Sequence, residues 1–283
     1  MRPEIVATVA GLRARVAEWR GSGARIALVP TMGALHAGHL ALVDAAAREA
    51  DRIVVSIFVN PAQFAPHEDL ATYPRDLERD LDLLEGGPAS LVFAPAVSEM
   101  YPQGCATTVA VGGPSEGLES VARPHFFGGV ATVVAKLLIQ AGADVACFGE
   151  KDFQQLAVVR RLTRDLSIPT EIRAVPTVRE ADGLAMSSRN AYLDPAARAK
   201  APTIHRAMRA AAASISGGAA VDEALAAARS MIEAEGMTID YLELRDENTL
   251  APMTRPTAGA TGRMLAAVRL SGVRLIDNMS VSV

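Results

Sequence analysis

The sequence predicts an α/β protein: a doubly wound parallel sheet, followed by a second, smaller α+β domain. Three observations carry this. Apolar stretches in the first part are continuous rather than alternating, as in strands buried on both faces. Segments of helical periodicity lie between them, so strand and helix alternate as in βαβ units. Beyond about residue 177 the texture changes to alanine-rich helix and then to short strand-like runs.

In chain order the strand-like runs are Arg25–Pro30, Arg52–Asn60, Ser90–Pro95, Thr107–Val111, Asp144–Gly149 and Thr170–Pro176. Between them, Tyr73, Leu77, Leu81 and Leu84 fall on one face of an expected helix whose other positions are charged. Gly128–Gly142 is apolar nearly all round and is expected as a buried helix, and Lys151–Leu166 is amphipathic. Together these define a first, Rossmann-like domain over residues 1–177. The smaller domain is placed at 178–283, as a lid. There Asp194-Pro195 opens a helix in the N-cap/N1 manner, expected to run to Ser216. Gly217-Gly218 breaks it, and a second helix follows from Val221 to about Glu235. Three strands close the chain: 238–246, 263–270 and 273–281.

The bulk numbers narrow the function class. The 283 residues carry a formal charge of -4, with 50% hydrophobic and 21% charged residues. That is a folded globular composition with no basic surplus for a nucleic-acid backbone. No uncharged apolar run approaches the ~20 residues needed to span a bilayer, and the N-terminal segment lacks the apolar core of a signal peptide. The two cysteines, Cys105 and Cys147, form no CxxC pair. Cys147 sits in an apolar run and is expected as a buried, inert thiol. A cytoplasmic, reducing setting is expected.

The stretch VPTMGALHAGH follows the first strand-like run and so stands at a strand's carboxyl end, where open α/β sheets bind ligands. A helix is expected to start near Gly38 or His39. Its free N–H groups and positive dipole end suit phosphate. Gly33 and Gly38 remove side chains where a phosphate could approach the backbone. His36 and His39, three apart, are expected to point the same way. The residues alone leave open solvated loop histidines, part of a zinc site, or a helix cap. HAGH lacks the HExxH glutamate and spacing, and no third ligand is evident. Neither a P-loop nor a dinucleotide fingerprint is present.

The strand followed by HAGH resembles the nucleotidyltransferase superfamily related to class I aminoacyl-tRNA synthetases. The whole phrase Pro30–His39 resembles the pantothenate synthetase (pantoate–β-alanine ligase) family. So do Phe58–Phe64 (FVNPAQF), Tyr73–Asp80 (YPRDLERD), Phe148–Leu156 (FGEKDFQQL) and Val178–Leu193 (VREADGLAMSSRNAYL), with LIDNM near the C-terminus. The blocks keep the family's order over most of the chain.

The resemblance implies ATP-dependent joining of pantoate to β-alanine through pantoyl adenylate, with Mg²⁺, in a homodimer. It implies His39 and His36 as catalytic phosphate donors, helped by Lys151 and Arg189. ATP contacts are implied for Pro30, Met32, Gly33, Ala34, Leu35, Ala37 and Gly38 in the first block. Gly149, Glu150, Lys151 and Asp152 supply the second set, and Val178, Met186, Ser187, Ser188 and Arg189 the third. Within it, AMSSRN, Ala185–Asn190, is the counterpart of the synthetases' KMSKS loop, carried in by a second domain closing over ATP. Gln63 and Gln155 are implied for substrate, with Asn60 and Arg123 carried beside them. Of the neighbours Gln154 and Gln155, only one is expected to face the crevice, and the family match selects Gln155.

Asp80 is weighed between a Mg²⁺ ligand and a solvated helix face. One departure stands out. The family pattern RPGHFxGV reads RPHFFGGV here, Arg123–Val130, with the histidine displaced to His125. No role is assigned to His125, and His67 and His205 are expected at the surface.

Three rivals remain at this point. Ser115 in Gly113–Gly117 matches GxSxG, the serine-hydrolase elbow. A different HxGH adenylyltransferase would share the fold. A nucleotide-binding protein without catalysis would share the pocket.

Overall fold

The computed structural model describes every residue except 66, 67, 69 and 258. His67, expected at the surface, therefore lies outside the described residues. The chain divides into two compact units: unit 1 is Met1–Gly149 with Gln154–Pro176, and unit 2 is Glu150–Phe153 with Thr177–Val283.

Unit 1 opens with β1 (Glu4–Val6) and α1 (Val9–Gly21), then β2 (Ile26–Thr31), α2 (Ala37–Ala47) and β3 (Arg52–Ile57). There follow α3 (Leu77–Leu84), β4 (Ala89–Phe93), α4 (Val97–Met100), α5 (Glu119–Ala122), α6 (Phe126–Ala141) and β5 (Val145–Gly149). It closes with α7 (Phe153–Asp165), whose first residue belongs to unit 2, and β6 (Glu171–Val175). All six strands are parallel, in the order β1-β4-β3-β2-β5-β6. From β2 the chain builds outward through β3 and β4, then returns to add β5 and β6 on the other side. The switch point therefore lies between the carboxyl ends of β2 and β5, where such sheets bind ligands. The expectation of doubly buried strands holds for β2, where Ile26, Ala27, Leu28 and Val29 are each 0% exposed, and for β3, β4 and β5, but not for the edge strand β6, where only Val175 is buried.

Three details of unit 1 differ from the sequence reading. Thr107–Val111 forms no strand. Its residues are mostly exposed, and the Val109 N–H is satisfied by Thr132 Oγ1 on α6 rather than by a neighbouring strand. β1, only three residues long, is absent from the sequence reading; it pairs with β4. Tyr73 precedes α3, which starts after an N-cap at Asp76. Leu77 is exposed, and the inward face is Asp80, Leu81 and Leu84.

Unit 2 holds α8 (Pro195–Lys200), α9 (Thr203–Ser216) and α10 (Val221–Glu233), then β7 (Thr238–Asp246), β8 (Thr261–Leu270) and β9 (Val273–Ser282). The strands form an antiparallel sheet in the order β7-β8-β9. They run nine or ten residues, longer than the short strands expected. Asp194 caps α8 with Pro195 at its first turn, as expected. The single helix to Ser216 is in fact two, because Pro202 has no N–H to continue the ladder. Alanine-rich faces of α9 and α10 pack with Met264, Ala266 and Val268 of β8 into one core.

Among the described residues no helix is long and apolar enough to cross a membrane. Both cysteines are free, Cys147 buried and Cys105 exposed. Burial pushes the Cys147 thiol up to about 11, which keeps it protonated and inert.

Candidate active site

In unit 1 the segment after β2 turns sharply before α2 begins. Thr31 Oγ1 donates to the Ser56 carbonyl and accepts the Gly33 N–H. Gly33 has φ +82, and a Cβ there would meet Asp80 Oδ2 at 2.9 Å. Glycine is thus required twice over, by the left-handed backbone and by the carboxylate behind it. Ala34 follows at φ 50.

Asp80 settles that turn from below. Its Oδ2 accepts the Ala34 N–H at 2.9 Å and its Oδ1 accepts the Leu35 N–H at 2.7 Å. The residue is 1% exposed, so the solvated-face expectation is corrected. Burial pushes its carboxyl above the ordinary range, against the pull of the two backbone N–H groups. Both oxygens are engaged and shielded, so Asp80 does not stand open as a metal ligand. Among the described residues no three His, Cys, Asp or Glu side chains are grouped to hold a metal ion.

His36 is the N-cap of α2, so the helix starts at Ala37, slightly earlier than expected. Its Nδ1 accepts the Gly38 N–H at 3.1 Å, and its own N–H is accepted by His39 Nδ1 at 3.3 Å. This is a capping box built from two imidazoles. The cap reading and the shared direction of the rings both hold, since the ring centroids are 4.1 Å apart. Because each Nδ1 accepts a hydrogen bond, the proton of each neutral ring sits on Nε2. Two Nε2–H donors are thereby presented at a helix N-terminus, beside the switch point of the sheet. An anion is the ligand such a place suits.

Beside it, Asn60 caps the 3₁₀ turn Pro61–Gln63 after β3. Asn60 is 1% exposed. Its Nδ2 donates to Gln63 Oε1 and to the Gly129 carbonyl, and its Oδ1 accepts from Tyr101 Oη and the Ala62 N–H. It is fully engaged within the protein, so the structure gives it no open group for substrate. Gln63 Nε2 lies 3.7 Å from Met32 Sδ, on the turn after β2. Arg123 is likewise engaged: it holds Glu68 with two nitrogens, at 2.6 and 2.7 Å, and the Gln63 carbonyl at 2.9 Å. Its guanidinium lies 3.9 Å over the Phe126 ring. Arg123 braces the Gln63 segment rather than reaching for a ligand. The displaced His125 is exposed and makes no capping bond.

On α7 the two glutamines divide their work. Gln154 is 3% exposed; its Nε2 donates to the Pro114 and Gly117 carbonyls and its Oε1 accepts the Glu119 N–H. Gln155 is half-buried and takes no part in that anchor. Ser115 Oγ donates to the Val111 carbonyl and Ser120 Oγ to the Ser115 carbonyl, so this segment is a tied turn and not a nucleophile elbow.

Gly149 ends β5 in unit 1, and unit 2 carries the remaining predicted residues. Glu150–Asp152 is a 3₁₀ turn following β5. Asn278 of β9, 3% exposed, donates to the carbonyls of Glu150 and Lys151, both at 2.8 Å. Arg263 donates to Asn278 Oδ1, pairs with Glu247 and lies 4.0 Å over the Phe153 ring. The Lys151 turn is thus clamped by a buried network. Lys151 Nζ is 3.8 Å from Asp152 Oδ2.

Arg179 bonds Asp277 with two nitrogens, at 2.7 and 2.9 Å. It opens a narrow hairpin that bridges to Ala185, and Arg198 ties the same hairpin through Glu180 and Asp182. Gly183 at its tip packs on His205, leaving no room for a Cβ. His205 is therefore half-buried rather than a surface group. Next come Met186 and Ser187, which caps the 3₁₀ turn Ser188–Tyr192 by accepting the Arg189 N–H at 3.2 Å. Ser187 keeps its hydroxyl proton as a donor. Ser187, Ser188 and Arg189 are each half-buried.

Sequence reasoning did not find Tyr101, Arg179 or the clamp made by Asn278. Only the LIDNM block pointed toward the last. Arg179 stands in the Val178–Leu193 block but is assigned no role there, and Tyr101 follows no local pattern.

A family profile described as Pantoate-beta-alanine ligase matches residues 4–280. The chain belongs to the pantoate–β-alanine ligase family. It is 58% identical over 283 residues to the pantothenate synthetase of Mesorhizobium japonicum, covering 100% of this chain and 99% of the relative. The pantothenate synthetase of Caulobacter vibrioides is 52% identical over 281 residues, 99% of each chain. Among solved structures, the pantothenate synthetase of Thermus thermophilus has TM-score 0.92 at 49% identity, covering 99% and 100% of the two chains. The pantoate-beta-alanine ligase of Francisella tularensis, complexed with beta-gamma ATP and beta-alanine, has TM-score 0.79 at 30% identity, covering 98% and 97%. Membership of the pantoate–β-alanine ligase family accounts for the α/β fold and sets aside the hydrolase reading of Ser115.

Proposed function

We propose that the chain condenses pantoate with β-alanine in two steps on ATP. A pantoate carboxylate oxygen attacks the α-phosphorus, the bond to pyrophosphate breaks, and pantoyl adenylate forms. The β-alanine amine then attacks the acyl carbon and loses a proton; the bond to AMP breaks and pantothenate forms. The observation that carries this is the pair of Nε2–H donors that His36 and His39 set at the N-terminus of α2.

Negative charge grows on the phosphate oxygens and on the departing pyrophosphate. Donors already fixed in place stabilise that charge with no reorganisation, each worth roughly 10²–10³ in rate. By the family resemblance the donors are His39, His36, Lys151, Ser187, Ser188 and Arg189, the last as a planar fork for phosphate. Gln63 and Gln155 bind pantoate as neutral amides, which leaves the carboxylate nucleophilic. Holding carboxylate and α-phosphorus together supplies up to about 7–11 kcal/mol by proximity.

Mg²⁺ is proposed to arrive on the triphosphate, held by its oxygens and by water, as that ion commonly is with nucleotide substrates. A homodimer is proposed on the family resemblance. A cytoplasmic location is proposed on the two free thiols.

The test is isotope exchange. Pantoate-dependent exchange of pyrophosphate into ATP, with net AMP release requiring β-alanine, is expected. Exchange driven by another acid and not by pantoate would overturn the reading.

A further inference from the structure

The proposed function places the Gln63 amide against pantoate, yet an amide can face a ligand by its carbonyl or by its NH₂. The structure decides between them through a chain of hydrogen bonds that starts at a backbone group. The Gly129 carbonyl can only accept. The Asn60 atom 3.1 Å from it must therefore be Nδ2, and the opposite atom Oδ1. Two donors converge on that Oδ1: the Tyr101 hydroxyl at 2.8 Å and the Ala62 N–H at 3.3 Å. The second hydrogen of Asn60 Nδ2 goes to Gln63 at 3.0 Å, so the Gln63 atom there is Oε1. Its NH₂ then points away, toward the turn after β2 where Met32 Sδ lies. Asn60 and Gln63 are 1% and 7% exposed, so water does not compete for these bonds.

We infer that Tyr101 is a positioning residue: through Asn60 it holds the Gln63 amide so that an NH₂, and not a carbonyl, meets the carboxylate or hydroxyl oxygens of the acid substrate. This rests on the reading that Gln63 touches pantoate. The phenol serves as a donor at every assay pH, because burial, with Cys105 nearby, lifts it to about 12 despite the bond to Asn60. Gly129 completes the device, since a Cβ at that position would run into the Ala62 carbonyl and push the turn off α6.

The test is steady-state kinetics on the full chain, with pantoate and ATP varied separately. Tyr101→Phe keeps the ring and removes the donor. It is expected to raise the KM for pantoate roughly five- to tenfold, with the KM for ATP and the thermal midpoint nearly unchanged. Asn60→Asp offers acceptors to two carbonyl oxygens and forces the Gln63 amide round. It is expected to raise the pantoate KM further than Tyr101→Phe does. Gln63→Ala is the control. If Gln63→Ala raises the pantoate KM and Tyr101→Phe does not, the relay is wrong while the role of Gln63 stands. If Gln63→Ala leaves the pantoate KM unchanged, the assignment of Gln63 fails and the relay with it. Equal rises in both KM values for Tyr101→Phe, or a collapse of its thermal midpoint, would mean a merely structural tyrosine and would also overturn the inference.

Discussion

Asp80 on α3 accepts the Leu35 N–H at 2.7 Å, one residue ahead of the first imidazole. A buried carboxylate thus shapes the turn that aims His36 and His39. Asp80→Ala leaves the Ala34 and Leu35 N–H groups without acceptors, at a cost on the order of 2 kcal/mol. The expected result is a lower denaturant midpoint together with slower adenylation, read from urea unfolding and single-turnover rates. Unchanged single-turnover rates at full folding would separate the turn from the chemistry.

Asn278 supplies two hydrogen bonds to the turn bearing Lys151. Asn278→Asp keeps the shape and reverses the polarity, so two carbonyls face a carboxylate. A fall in kcat of about tenfold or more is expected, from displacement of the Lys151 ammonium. Pantoate binding measured by calorimetry should change far less. A variant with wild-type kcat would show that the clamp does not govern Lys151.

Arg189→Ala removes the guanidinium proposed to grip phosphate. Adenylation is expected to slow by about 10²–10³, while equilibrium binding of pantoate stays near its wild-type value. Equal losses in rate and in pantoate affinity would count against a role on the phosphates.

His205 gives unit 2 a pH dependence whose sign can be worked out. Burial first, then the charge of Arg179, lowers its pKa from the ordinary 6.5, against the opposing pull of Asp277. Well above pH 6.5 the ring is neutral folded or unfolded, and nothing is lost. Below that value the unfolded chain takes the proton first, so the folded state loses stability as pH falls. Thermal midpoints between about pH 7 and about pH 5.5 should therefore fall more steeply in the wild type than in His205→Gln. Parallel slopes would rule this out.

The strands at the heart of unit 1 are legible because burial on both faces leaves an unbroken apolar run, and Ile26–Val29 is such a run. Thr107–Val111 has the same residue types without the burial, and composition cannot tell whether a neighbouring strand exists to pair with. The histidine turn is readable because its ingredients are local: a strand end, two glycines and two imidazoles three apart. Asn60 and Arg123 escape such a reading for the opposite reason. Their partners, Gly129, Tyr101 and Glu68, lie 41 to 69 positions away, and local spacing carries no sign of them. Asp80 reads as solvated on a charged helix because burial of a single acid is decided by what docks above it.

Glu150–Phe153 lies between two stretches of unit 1 yet folds with unit 2. Splitting the gene after the codon for Pro176 would therefore send Lys151 off with the half that cannot hold it. The remaining half would keep Asn278 with no carbonyls to serve and Arg263 with no ring beneath it. Two polypeptides made from such a cut should recombine only if the Glu150–Phe153 peptide finds its way back to β9. The lysine's address is written on a strand far downstream in the chain.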